Sequence, residues 1–349
     1  MKRTLVAALA ISATLVVLSI GSSSADTGGG VEPQDDGSYE LCGRHICYTF
    51  FEEVFYGYAV NMTHDGQVTK YPVFERVQLE NFQATGAPTF GEGVFTIEGS
   101  SGTSRAHDIP MGVMSFEANV ADTANFQLSA DMGAIFSDKS VVIGADDFRG
   151  DLVLMGAGTL AKNNQDISVP LQPGDRYYFR AFYLYDESLG SDIADGMIAG
   201  EMYLELDGQN LISSVIDYQA IDMEVQFSDE DKVEISAHAS FVDGRTVILT
   251  IDDSAFDVPL NKMKVELDGK TLQLAGSVKD VISSGEGTYY ALHNEDSTQV
   301  FINIPHFSHR TITLSRIGPE EIGMDFYLGA AASVLLVVAA TVFLFKRKD

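Results

Sequence analysis

The chain has 349 residues, of which 22 are basic and 50 acidic, for a formal net charge of −28. A field of that sign repels nucleic acid and other polyanions, so functions built on phosphate-backbone binding are excluded. Hydrophobic residues make up 45% of the chain, which supports packed interiors rather than a disordered stalk, and the length predicts two domains.

The N-terminus reads as a secretory leader. Lys2 and Arg3 precede an uncharged run from Thr4 to Ile20, and Gly21-Ser22-Ser23-Ser24-Ala25 supplies small residues before Asp26. Cleavage after Ala25 is expected, and an uncleaved N-terminal span is the alternative. Residues 26–38 are rich in Gly and acid and read as a flexible lead-in.

Cys42 and Cys47, in LCGRHIC, are the two cysteines of the chain. An even, closely spaced pair outside the cytoplasm predicts a disulfide closing a hairpin or turn. A metal site would need two further ligands, of which His45 supplies one. Glu52 and Glu53 follow in an aromatic run with Tyr48, Phe50, Phe51, Phe55, Tyr56 and Tyr58. Neighbouring carboxylates are poorly placed for sugar hydrolysis, and the aromatics read as core. Asn61-Met62-Thr63 is a glycosylation acceptor beside a turn predicted at Asp65-Gly66.

Beyond this point apolar residues recur mostly at every second position, the mark of strands. Strands are expected at 93–98, 125–129, 141–144, 151–155, 167–171, 177–184, 223–227, 246–251, 288–293, 300–304 and 311–317. Arg149-Gly150-Asp151 enters one of them and is not expected to be displayed. Met263, Val265 and Leu267 share one face ahead of Asp268-Gly269, which predicts a hairpin. EMYLELDGQNL (201–211) repeats much of KMKVELDGKTL (262–272), so two similar hairpins are expected and a duplicated domain is open. Helical periodicity is confined to Ser277–Ser283, where Ser277 and Asp280 stand at capping spacing.

Metal-type side chains cluster in two parts of the sequence. His306 and His309, with His293 one strand earlier, form a weak candidate for zinc or copper, although Pro305 is expected to break the strand before His306. Asp186, Asp192 and Asp195, with Glu187 and Gly196, and separately Asp229-Glu230-Asp231, place oxygens in turns and make calcium the ion to consider. Neither stretch follows the EF-hand order, and solvated loops account for both. No catalytic or cofactor-binding residue is assigned, because hydrolase, metalloprotease and phosphate-loop motifs are all absent.

Residues 326–345 form an uncharged run followed by Lys346, Arg347 and Lys348 and preceded by Glu320, Glu321 and Asp325. Such a run predicts one transmembrane helix with its C-terminus inside. Setting aside Lys2, Arg3, the three terminal basic residues and Asp349 leaves 17 basic and 49 acidic groups, net −32, on the outer face.

Ile304-Pro305-His306-Phe307-Ser308 with Thr311-Ile312, close before a single span and a basic tail, resembles the membrane-proximal β-modules of archaeal cell-surface proteins. The resemblance implies an envelope location and brings no catalytic residues.

The fold expected is mainly β: two β-sandwich-like extracellular domains, 39–218 and 219–318, then a linker (319–325), the span (326–345) and a basic tail (346–349). The function expected is a membrane-anchored surface protein with a structural or adhesive, non-enzymatic role. Its partners would be surface-layer or envelope proteins, or other copies of itself. A solute-, metal- or glycan-binding module is the second reading and a surface hydrolase the third.

Overall fold

The computed structural model describes residues 29–317 apart from 65, 146, 164–165 and 295. The expected leader, span, linker and tail lie outside these residues. Among the described residues no helix is long and apolar enough to cross a membrane.

The architecture is mainly β, in four sheets that form two sandwiches. One eight-stranded sheet starts at the edge strand Gly30–Pro33 and continues through Tyr39–Cys42, Ile46–Phe51, Val54–His64 and Gln67–Leu79. Asp122–Leu128, Asp166–Leu171 and Ala161–Asn163 complete it. The facing sheet runs Gly133–Phe136, Ser140–Ala145, Phe148–Met155, Arg176–Ala181, Val113–Ala118, Gly102–His107, Val94–Glu98 and Thr89–Gly91. Alternation explains the closure: Ile46, Tyr48 and Phe50 are buried while Cys47, Thr49 and Phe51 between them are less so. The inward aromatics mesh edge to face, with Phe74 5.0 Å from Phe179 and 5.1 Å from Phe126.

In the second sandwich a six-stranded sheet is ordered Asn210–Asp217, Ile198–Asp207, Asp243–Asp252, Ser297–His306, Thr288–His293 and Gln273–Leu274. It faces Ile221–Asp229, Lys232–Ala239, His309–Arg316, Met263–Leu267 and Lys270–Thr271 across a core that includes Met202, Val247, Ile302 and Leu314.

Several expectations change. Residues 30–33 of the lead-in are a strand paired with Tyr39–Cys42, because Val31 packs against the core. The division between sandwiches falls in 182–197, not at 218, since Ile198–Asp207 pairs in parallel with Asp243–Asp252. That pairing is non-local and leaves no local sequence mark. The two similar hairpins lie in different sheets with different neighbours, so the described residues do not form a duplicated domain. Pro305 does not break its strand: Ser297–His306 runs through it. Pro305 stands opposite Gly244, beyond Ile302 where pairing to Thr288–His293 stops, so its missing N–H interrupts little.

A third apolar cluster joins the sandwiches. Ile109, Met111, Val153 and Tyr178 of the first meet Ile198, Tyr203, Ile216 and Phe301 of the second. Leu189 and Ile193, from the connecting segment and its helix Gly190–Ala194, fill the gap, with Val278, Val281 and Ile282 of the helix Val278–Ile282. Strands at this seam are covered on both faces, and they read as continuous apolar runs such as Tyr177-Tyr178-Phe179 and Val300-Phe301-Ile302.

Candidate functional site between the sandwiches

At the heart of the seam lies a charge pair. Arg180 and Glu201 are 1% and 0% exposed, and the guanidinium donates from Nε and Nη2 to the two carboxylate oxygens at 3.1 Å each. Tyr218 donates to the same carboxylate at 3.0 Å. Burial works against the Arg180 charge, but Glu201, Tyr218 and Asp151 outweigh it and hold its pKa above the ordinary value. The geometry is the two-pronged one that best compensates desolvated charges. Asp151 accepts from the Ser188 hydroxyl at 2.7 Å and the Leu189 N–H at 2.9 Å, which ties the connecting segment to the same place.

Toward one rim, Arg176 pairs with Glu117 at 3.2 Å and Asp217 at 3.0 Å, and His107 Nδ1 is 2.8 Å from the Ser214 hydroxyl. These polar bridges line a hollow of about 590 Å³ that also includes Arg105 and Glu92.

A second cleft, of about 320 Å³, is lined by Arg44, His45, Thr63 and Pro110 of the first sandwich, Tyr183 of the connection, and Tyr203, Asp252, Asp253, Ser254 and Asp296 of the second. The disulfide hairpin builds its first wall. Cys42 and Cys47 are direct cross-strand partners and are bonded to each other. The Asp108 carboxylate accepts from the backbone N–H groups of Arg44, His45 and Ile46 at 2.8, 2.6 and 3.1 Å. A Cβ on residue 43 would sit 2.0 Å from that carboxylate, so only Gly43 fits. Clamped in this way, the loop carries Arg44 to Glu205, 3.0 Å away, while Tyr203 donates to the same Glu205 oxygen at 3.0 Å.

His45 is 6% exposed, and its Nε2 has no hydrogen-bond partner. Burial, with Arg44 nearby, lowers its pKa to about 3, so the ring is neutral near pH 7. Across the cleft Asp253 Oδ1 is also buried without a hydrogen bond, and His293 Nδ1 lies 3.9 Å from it. Burial raises the Asp253 pKa to about 6; His293 opposes the shift, while Asp257, Asp252 and Asp296 add to it.

The residues singled out from sequence are distributed as follows. His293 pairs with Thr298 and His306 ends the same partner strand eight residues on, which separates them by about 26 Å. His309 faces His238, ring centroids 6.5 Å apart, so no three-histidine site forms. Among the described residues the one set of three metal-type ligand atoms within 4.8 Å of one another is Glu40, Cys42 and Cys47, whose sulfurs are engaged in the disulfide. Asp186, Asp192 and Asp195 do not converge: Asp192 lies in the helix Gly190–Ala194, Asp195 caps its C-terminal end, and Asp186 is exposed. Asp231 is paired with Arg316 at 2.5 Å.

Glu52 and Glu53 form the turn between Ile46–Phe51 and Val54–His64 rather than part of a strand. Tyr48, Phe50, Phe55 and Tyr58 are core, whereas Tyr56 is exposed. Asp151 of the Arg-Gly-Asp triplet is fully buried. Asn61 sits in Val54–His64 near the hairpin turn, where its amide donates to the Arg44 carbonyl at 3.2 Å.

Sequence reasoning passed over Arg180, Glu201 and Asp253. A signal existed for the first two, since each is a lone charge inside an apolar run, YYFRAFYLY and IAGEMYL. Nothing local matches them to each other. Asp253 sits in IDDSAF, one acid among fifty.

No family model and no curated protein matches this chain. Among solved structures, a glycoside hydrolase of family 81 from Clostridium thermocellum, in a mutant form, superposes with a TM-score of 0.35 at 8% identity. The match covers 80% of this chain and 34% of that one.

Proposed function

We propose that the protein is a membrane-anchored extracellular envelope protein that acts as a rigid structural or adhesive element rather than as an enzyme. The observation that carries this reading is the seam, where an apolar cluster and the buried Arg180–Glu201 pair join two sandwiches in series. A body of that kind holds one end at a fixed distance from an anchor at the other. The leader and the span read from sequence supply the export and the anchor.

The surface suited to contact is the edge strand Gly133–Phe136. Among the described residues it pairs only with Ser140–Ala145, and Ile135 on it is 74% exposed. Beside it lies a small hollow walled by Leu128, Met132, Ala134 and Phe136. An open edge with apolar neighbours is where a second chain adds by strand pairing. Envelope proteins and further copies of this chain are the partners proposed, through the membrane-bound, outward-facing orientation.

Cross-linking on intact cells, with a photoreactive residue at position 135, tests the reading. Adducts to an abundant envelope protein or to a second copy are expected. A chain that remains uncoupled on the cell surface, or one recovered from the cytoplasm, overturns it. The acid-lined cleft favours a binding function alongside this one.

A further inference from the structure

We propose that the cleft between the sandwiches binds a small organic cation, the ammonium group of an amine or of a basic side chain. Four observations converge on this chemistry, and none depends on the anchor or the edge strand.

The first is charge. Asp252, Asp253 and Asp296 line the cleft, and its one arginine, Arg44, is already paired with Glu205. The second is unmet polarity. His45 Nε2 and Asp253 Oδ1 are both buried without hydrogen bonds, and each belongs to a lining residue. Buried polar atoms in folded proteins nearly always have partners, so two orphans on one cavity point to a ligand. An ammonium offers three donors and no acceptor, the complement of carboxylates and a neutral imidazole lone pair.

The third is the aromatic wall. The Tyr183 hydroxyl is held by Ser297 at 2.9 Å and that of Tyr203 by Glu205, so both contribute ring surface rather than a spare hydroxyl. Cations are stabilised beside such rings by roughly 0.5–2 kcal/mol. The fourth is size. About 320 Å³ exceeds what a bare metal ion fills, and no three His or carboxylate ligand atoms of the cleft approach within 4.8 Å of one another among the described residues. Calcium would require six to eight converging oxygens. Because the lining comes from both sandwiches, the bound cation would bridge them.

Isothermal titration calorimetry on the full-length chain at pH 8 tests the site with n-butylammonium chloride and with a blocked Gly-Lys-Gly peptide. Saturable binding of one equivalent is expected for at least one probe. The charge-neutralising variants Asp253→Asn and Asp296→Asn should each weaken it ten-fold or more. Glu80→Gln, exposed beyond the far end of Gln67–Leu79 from the strand pair Thr63–Val68, should leave it unchanged. Asp296 is exposed, so its variant reports on the site even where Asp253→Asn perturbs folding. Tighter binding of the peptide identifies a protein partner as the source of the cation, and tighter binding of the amine a free solute. Absence of binding by both probes overturns the proposal. So does equal weakening by Glu80→Gln, or calcium chloride binding with the same variant sensitivity while neither probe binds. These outcomes are separate from the cross-linking result, since a loose chain on the cell surface could still bind the amine.

Discussion

Asp253 shows how far one carboxyl is bent from solution behaviour by its surroundings. Burial is the main cause of its elevated pKa of about 6, helped by Asp257 and Asp252 on its own segment and Asp296 from the facing loop, and opposed by His293. In the unfolded chain the same group ionises near 3.8. Folding therefore favours the protonated form, and above pH 6 the ionised carboxylate costs stability. That cost fades as the pH falls from 6 towards 4. Asp253 is partly open to solvent, which screens the effect, so the Asp253→Asn variant is expected to be more stable than the parent by roughly 1–2 kcal/mol at pH 8. The difference should vanish at pH 4, and urea unfolding at both pH values checks it. A variant less stable at pH 8 would mean that the carboxylate has a cationic partner in the folded protein. None of this was legible in the sequence, where Asp253 is an ordinary loop acid. His45 was nearer to legibility, because it stands inside the disulfide loop, but its burial depends on Asp108 and Tyr203, which are remote in the chain.

Elements were more readable than sites, because strands and turns are set by neighbours in sequence. The alternation in Met263–Leu267 and the Asp268-Gly269 dipeptide gave the second hairpin, with Leu267 opposite Lys270. Both turn residues have positive φ, 52° at Asp268 and 75° at Gly269, as a two-residue hairpin turn of this hand requires. The same Glu-Leu-Asp-Gly at 205–208 turns one residue later, with Asp207 opposite Asn210 and Gly208 at the first turn position. Identical letters thus produce registers one residue apart, and the surrounding sheet decides between them. Asp268 is fixed by the Arg310 guanidinium at 2.7 Å and the Thr311 N–H at 2.9 Å, which holds the earlier turn. Gly269→Ala should cost about 1 kcal/mol, because alanine resists positive φ while nothing crowds its Cβ. A denaturation midpoint unchanged by that substitution would show that the turn relaxes to another type. The helix Val278–Ile282 was visible through its Ser277 cap, which accepts from the Asp280 N–H. Gly190–Ala194 was not, since it has five residues and no side-chain cap.

At the scale of the molecule, length alone predicted two units, but their junction rests on contacts between segments far apart in the chain. Tyr178 meets Tyr218 edge to face at 5.0 Å, and Arg180 meets Glu201 across the same seam. Apolar packing there is adaptable, whereas a two-pronged ion pair demands one orientation, so the pair fixes how the sandwiches meet. If the seam couples them, the parent chain unfolds in one calorimetric transition. Glu201→Gln leaves the Arg180 charge buried without its counter-charge, and loss of one partner of such a pair costs about 3–5 kcal/mol. That penalty falls on the junction rather than on either core, so the variant is expected to melt in two transitions, each sandwich for itself. Replacing both partners, Arg180→Met with Glu201→Met, removes the stranded charge and should restore most of the stability and a single transition. If Glu201→Gln still melts as one unit, the apolar cluster alone provides the coupling, and the ion pair serves only to orient. Two transitions already in the parent chain would instead mean that the sandwiches are independent modules. A rigid spacer would then be ruled out, because force or ligand at one end would not be transmitted to the other.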